Sequence, residues 1–418
     1  MSVQVTTLRN GMRVATDYMS TVETASVGAW VSVGTRHEEP KLNGISHLLE
    51  HLAFKGTKKR TAFSIAEEIE AVGGQLNAYT SRENTAYYAK VLKEDVGLAI
   101  DIISDILQYS TIKSCELERE CEVVIQEIHQ SYDTPDDIIF DHFHETAYPN
   151  QAVGRPVLGN ANLIKNIDRD TLLDYMRMQY SASKIVIAAA GNVEHDYLVD
   201  LAEGTFVNLQ RDLNCTNDQI RYQGGDYREI RDLEQAHIVM GLDGVSYKDP
   251  DYYTMSVLST LLGGGMSSRL FQEVREKRGL VYSVYSFISN FEDGGIFGIY
   301  AGSGQNEVRE LLPIICCEIQ KLTENISDGE IDRARCQLKS STLMALESTA
   351  SRSEQIARQL QIFNRIIPVK EVIERIEEVS ATDLKRAAQR LLNSKLTFTA
   401  LGAIQNVESF DAISNRLS

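Results

Sequence analysis

This sequence of 418 residues has no membrane-length apolar run, no cysteine pattern and no surplus of basic charge. Each absence excludes a class of function. The longest apolar stretches are strand-sized, such as Ile185 to Ala190, well short of the roughly 20 residues that a helix needs to cross a bilayer. A soluble protein without a membrane partner is expected. The opening MSVQVTTLRNGMRV holds no basic region followed by an apolar one, so no export or transit signal is expected, and it reads instead as strand, Asn10-Gly11 turn and strand. The six cysteines, at 115, 121, 215, 316, 317 and 336, form no CxxC. Neither a cysteine zinc site nor a disulfide framework is indicated, and a reducing cytoplasm is the expected location. A net charge of -17 disfavours nucleic acid and anionic membrane surfaces, while an acidic cavity attracts basic peptides.

What is present is ordinary globular composition, 43% hydrophobic and 24% charged, in a chain long enough for two domains. Its most informative stretch is GISHLLEHLAFKG, Gly44 to Gly56. If Ile45 to Phe54 is helical, His47 and His51 lie four residues apart on one face and can grip one metal ion. Ile45, Leu48, Leu49, Leu52, Ala53 and Phe54 make the segment apolar nearly all round, as in a buried helix. Two histidines and Glu50 inside such a helix need partners. Zinc suits two neutral imidazoles, and a catalytic zinc site takes three protein ligands, so one more must come from elsewhere.

Further on, Ala25 to Gly34 alternates as a strand does, and Ser64 to Val72 reads as a helix with a Ser64/Glu67 capping box and a Gly73-Gly74 stop. Gln75 to Leu92 reads as a hairpin about the turn SREN, and Glu94 to Leu107 and Glu116 to His129 as helices. In the last of these the core-facing stripe runs Leu117, Glu120, Cys121, Val124, Glu127, Ile128, placing two carboxylates where they require cations or a metal. Glu116, Glu118 and Glu122 face outward as solvated charge.

A faint internal repeat is visible in spacing. Lys184 to Gly191 matches Lys395 to Gly402, with Leu173 and Leu384 equally far ahead; Ala25 onward matches Ala236 to Gly244, and NTAYYAKV matches Gly294 to Gly302. Two duplicated α+β domains are therefore expected: residues 1–207 with the histidine pair, a polar linker 208–226, and residues 227–418. The second half has no HxxEH, so one metal per chain is expected. Gly263-Gly264-Gly265 is followed by neither GK[ST] nor a GxGxxG pattern, which disfavours phosphate binding and suggests a loop at a cleft edge.

HLLEH, with Glu127 downstream, resembles the inverzincin or pitrilysin-type zinc peptidases. LNAYTSRE, ERECEVVIQEI, the Gly-rich loop and REKRGLVYSV extend the resemblance over nearly the whole chain, toward the processing-peptidase branch that includes the mitochondrial processing peptidase β subunit and its bacterial relatives. The resemblance implies two homologous α/β domains, each an antiparallel-rich sheet covered by helices, forming half of a clam-shell peptidase chamber. It makes His47, His51 and Glu127 zinc ligands, Glu50 the general base and Glu120 a carboxylate behind the ligands. By the same carry-over, Asn77-Ala78-Tyr79-Thr80 is the edge strand that holds extended substrate, Phe54 lines the pocket after the cut, and Asp137 and Asp141 bind an arginine near it. Arg275 and Tyr282 complete the site from the far half of the chamber. In this chain, with only one pair of domains, they act in trans, in a homodimer or in a heterodimer with an inactive paralogue. The implied activity is a zinc endopeptidase acting on unfolded or extended peptides inside a closed chamber, with basic, presequence-like peptides as the preferred kind; the alternative is a non-catalytic structural or assembly subunit of the same fold.

Overall fold

The structure, a computed structural model, describes residues 3–209 and 218–417. It divides into two compact units, each built on one sheet. The first comprises residues 1–129, 155–218 and 344–366; the second comprises 130–154, 219–343 and 367–418. Each unit thus takes one segment from the opposite half of the sequence.

In the first unit six strands, β1 (Gln4–Thr7), β2 (Arg13–Tyr18), β3 (Thr24–Val31), β4 (Gln75–Thr80), β5 (Thr85–Leu92) and β6 (Ile185–Gly191), lie in the order β1-β2-β6-β3-β5-β4. Only β2 and β6 pair in parallel; the other pairs are antiparallel. Against one face pack α1 (Ile45–Ala53), α3 (Val96–Tyr109) and α4 (Ser114–Tyr132), joined by α2 (Ala62–Ala71). Ile45, Leu48, Leu49 and Leu52 of α1 are at most 1% exposed, as an all-round apolar helix requires. The opposite face buries Ala15, Trp30, Ala86, Val186 and Ala188 against Ile356, Ala357 and Leu360 of the helix Thr349–Phe363.

In the second unit β7 (Gly225–Ile230), β8 (Gln235–Asp243), β9 (Val281–Asn290), β10 (Gly295–Gly304) and β11 (Thr397–Gly402) lie in the order β7-β11-β8-β10-β9, with β7 and β11 parallel. Here α5 (Pro135–Ala147) brings Ile139, Phe143 and Ala147 onto Val239, Ile296, Tyr300 and Leu401. The sequence repeat reappears as matched register: Ala25 opposes Gly191 as Ala236 opposes Gly402. Both glycines have positive φ, 124° and 102°, and a side chain at either would strike the carbonyl of the neighbouring strand, Thr24 or Gln235. With β1 set aside, the two strand orders are the same, and the fold is α+β with a duplicated domain.

Two local expectations change. The helix expected from Ser64 begins at Ala62, because Thr61 Oγ1 accepts the Ser64 N–H at 3.0 Å and is the cap; a hydroxyl three residues earlier satisfies the same orphan donor. The helix expected from Glu94 begins at Val96, after a 3-10 turn over Lys93–Asp95. Of the expected linker 208–226, residues 210–217 lie outside the described residues, and β7 begins within its last part, at Gly225. No helix among the described residues is long and apolar enough to cross a membrane.

Candidate metal centre

The site forms where α1 crosses α4 in the first unit. One helical turn separates His47 from His51, whose ring centroids lie 4.7 Å apart. Oε2 of Glu127 lies 3.7 Å from Nε2 of His47 and 3.5 Å from Nε2 of His51. One ligand atom from each residue falls within 4.8 Å of the others, the only such grouping of three or more His, Cys, Asp or Glu side chains among the described residues. Burial, aided by the neighbouring His51, pushes His47 down to about 4. At neutral pH it is therefore an uncharged imidazole with a lone pair to offer. Two imidazoles and a carboxylate converging in this way are a donor set that fits zinc.

Glu120, two turns before Glu127 on the same face of α4, is 5% exposed. Its Oε2 lies 3.2 Å from Nδ1 of His51 and its Oε1 2.8 Å from the ammonium of Lys55. An imidazole that gives its Nδ1 proton to a carboxylate keeps its Nε2 lone pair for a metal. Among the described residues His47 has no such second partner: its Nδ1 is buried without a hydrogen bond.

Glu50 projects from the same helix and accepts a 2.6 Å hydrogen bond from the Thr80 hydroxyl at the end of β4. Burial raises its carboxyl above the usual range, opposed by the Thr80 bond and by His51 and reinforced by Glu127. It is thus biased toward accepting a proton, as a general base must be.

The remaining expected residues divide between the units. Phe54 ends α1, half-buried, its ring 6.2 Å from that of Tyr87. Asn77, Ala78 and Tyr79 lie on β4, the edge strand of the first sheet. The Asn77 Oδ1 accepts the N–H of Ala78 at 2.8 Å, and the Tyr79 hydroxyl donates to Glu354 at 3.1 Å, so the Tyr79 side chain is committed to the helix Thr349–Phe363. Asp137 and Asp141 belong to α5 in the second unit, where Asp137 accepts from the Ser131 hydroxyl at 2.7 Å in the first turn of the helix. Arg275 and Tyr282 are also in the second unit. Arg275 sits on a π-helical turn, Phe271–Glu276, its guanidinium 4.7 Å from the Phe271 ring and 4.9 Å from the Tyr282 ring, and Tyr282 is 79% exposed.

Two participants were not picked out in the sequence, Lys55 and Glu38. Lys55 follows α1 directly, where a cation beside the buried Glu120 was called for. Glu38 bonds to the start of α1; the signal for it was a helix beginning at glycine, with no side chain to cap it.

Comparison with known proteins gives two family matches: "Insulinase (Peptidase family M16)" over residues 13–161 and "Peptidase M16 inactive domain" over residues 166–338. A protein of Rickettsia felis named as an uncharacterized zinc protease is 38% identical over 399 residues, covering 95% of this chain and 97% of its own. A probable mitochondrial-processing peptidase subunit beta of Arabidopsis thaliana is 38% identical over 429 residues, covering 99% of this chain and 81% of its own. Among solved structures, a chain of complex III from Candida albicans superposes with a TM-score of 0.88 at 23% identity, over 100% of both chains, a likeness of fold alone.

Proposed function

The chain belongs to peptidase family M16, and from that premise we propose that it is a zinc-dependent endopeptidase cutting extended, basic peptides. The observation that carries the proposal is the convergence of His47, His51 and Glu127 beside a hydrogen-bonded Glu50. His47, His51 and Glu127 would hold the zinc, one ion per chain. Bound there, zinc supplies Lewis-acid polarisation of the scissile carbonyl and lowers the pKa of a water to about 7. Glu50 takes a proton from the attacking water and passes it to the leaving amine, a role worth roughly 10² to 10⁴ in rate. Thr80 aims that carboxylate, and Glu120, held by Lys55, keeps His51 in the tautomer whose Nε2 is free.

The substrate adds as a strand to the open edge of β4, where the Ala78 N–H exchanges the Asn77 side chain for a peptide carbonyl. Phe54 meets the residue after the cut, and Asp137 and Asp141 meet an arginine near it. The charge of -17 favours basic peptides in the same sense. Arg275 and Tyr282 act in trans, from a second copy of the chain or from an inactive paralogue, to close a clam-shell chamber. A cytoplasmic location belongs to the same proposal, in keeping with the five described cysteines being free thiols.

The test is zinc stoichiometry together with cleavage of an unstructured arginine-rich peptide by wild type, chelator-treated protein and Glu50→Gln. One zinc per chain, with cleavage lost in both treatments, is the expected result. A wild-type chain that takes up no zinc would favour the non-catalytic subunit instead. For the action in trans, mixing inactive Glu50→Gln with inactive Tyr282→Phe should restore activity in mixed dimers, and its failure to do so would refute a shared site.

A further inference from the structure

The helix that bears both histidines starts without a cap of its own. Gly44 stands at its N-cap with a φ of 98° and offers no side chain. Space forbids one, since a Cβ there would come within 2.9 Å of the Gly159 Cα and the Leu158 carbonyl. The first N–H groups of a helix nonetheless need acceptors. They find one upstream: Oε2 of Glu38 accepts from the Gly44 N–H and Oε1 from the Ser46 N–H, each at 2.8 Å. The Asn43 side-chain amide adds a bond to Oε2 at 3.0 Å and ties itself to the Pro156 carbonyl at 3.1 Å. Glu38 is 4% exposed, and burial lifts its carboxyl above the ordinary range against the pull of these hydrogen bonds. A carboxylate so enclosed is a costly way to start a helix, which a serine or aspartate at the N-cap would start more cheaply.

The same short segment reaches the other wall of the site. The N–H groups of Thr35 and Arg36 donate to the carbonyls of Ser81 and Arg82, at 3.1 and 2.8 Å, and the Arg36 guanidinium bonds Glu83 at 2.6 Å. Those acceptors form the turn between β4 and β5, directly after Thr80, whose hydroxyl holds Glu50. Gly34–Glu38 therefore braces the metal-bearing helix at one end and the edge strand at the other. A helix rises only 1.5 Å per residue, so a fractional slip of α1 moves both imidazoles against Glu127 by more than the ±0.2 Å within which metal bonds are held.

We propose that Glu38 is a positioning residue of the metal centre, setting through α1 where His47 and His51 stand relative to Glu127 and where Glu50 stands relative to Thr80. The inference deepens the zinc-peptidase reading and rests on it. The test measures the zinc dissociation constant by competition with a chromophoric chelator, alongside thermal unfolding, for wild type, Glu38→Gln, Asn43→Ala and Ile103→Ala. Ile103 is a fully buried core residue of α3, far along the chain from both the brace and the ligands. Glu38→Gln, which cannot accept both helix N–H groups, should weaken zinc about tenfold or more and lower kcat with little change in KM. Asn43→Ala leaves both helix bonds and should weaken zinc about threefold, the worth of one ordinary hydrogen bond. Ile103→Ala should lose thermal stability at an unchanged zinc constant. Glu38→Gln binding zinc as tightly as wild type, or Ile103→Ala weakening zinc to the same degree, would overturn the proposal. Should Glu38→Gln not fold, equal zinc constants for Asn43→Ala and wild type would overturn it. A wild type that binds no zinc would sink the peptidase reading and this inference together, whereas zinc-binding wild type and variant of equal affinity would sink the inference alone.

Discussion

The loop that follows α1 is pinned by one buried guanidinium, and its removal has a calculable cost. Arg60 bonds Glu68 through Nε at 2.9 Å, Asp101 through Nη2 at 2.5 Å and Asp105 through Nη1 at 3.1 Å. Its side chain is 4% exposed and that of Asp105 5%, whereas Asp101 and Glu68 are 38% and 37% exposed. Burial pulls the Arg60 pKa down, but the three carboxylates outweigh it and hold the group above its ordinary value. In Arg60→Met the two open carboxylates lose about 0 to 1 kcal/mol each. Among the described residues Asp105 is left buried with only the Thr57 hydroxyl at 2.7 Å, and an orphaned buried charge costs about 3 to 5 kcal/mol. The single substitution should therefore destabilise the first unit by about 3 to 7 kcal/mol. Arg60→Met/Asp105→Leu, which removes the stranded charge, should recover to within about 1 to 3 kcal/mol of wild type, the remainder being the lost Thr57 bond and the two open ion pairs to Glu68 and Asp101. The protein supplies its own probe. Its one tryptophan, Trp30, is 2% exposed on β3 of the first sheet, so fluorescence during urea unfolding follows the first unit even if the two units melt separately. A single substitution costing under about 1 kcal/mol, or a double mutant less stable than the single, would refute the reasoning.

Three further outcomes are expected. Leu360→Ala, in a helix from the second half of the chain, should shift the Trp30 transition by about 2 to 5 kcal/mol, because Leu360 is 3% exposed in the cluster that contains Trp30; a change seen only in second-unit signals would contradict the exchange of segments. Chelation should lower that same transition and excess zinc restore it, by about 2.7 kcal/mol at a free zinc concentration of about 100 times the dissociation constant, while the second unit stays unchanged by calorimetry. In the second unit, the Arg269 guanidinium and Ser327 overcome burial and hold Glu330 down at about 2. A depressed folded pKa gives stability that is present above the unfolded value near 4.5 and is lost as pH falls toward 2, so Glu330→Gln should flatten the acid dependence of second-unit melting over that window; unchanged acid dependence would refute the linkage.

Local periodicity made part of this molecule readable. An all-round apolar helix with two histidines a turn apart, and a later helix with Glu120 and Glu127 in its apolar stripe, were legible because each imposes its own burial pattern over several turns. The central strands of both sheets were legible from the repeat because β6 with β3, and β11 with β8, close around glycines at positive φ that tolerate no substitute. The exchange of segments between the units was not legible. Thr349–Phe363 buries a narrow stripe of Ile356, Ala357 and Leu360 on a helix that is mostly polar elsewhere, and such a stripe says that a partner exists without saying which sheet provides it. Specific polar contacts fix the choice beside the apolar packing, among them Arg352 with Asp17, Ser26 with Thr349 at 2.9 Å, and Gln361 with the Trp30 carbonyl at 3.0 Å. Pairings across more than three hundred residues leave no periodic trace. Glu38 escaped notice for the complementary reason. As one charged residue in a loop it has no period at all, and its meaning resides in what α1 lacks, a cap at Gly44. A helix that begins at glycine inside a hydrophobic core directs attention to a remote acceptor, and in this chain that acceptor also ties the metal-bearing helix to the strand that aims Glu50.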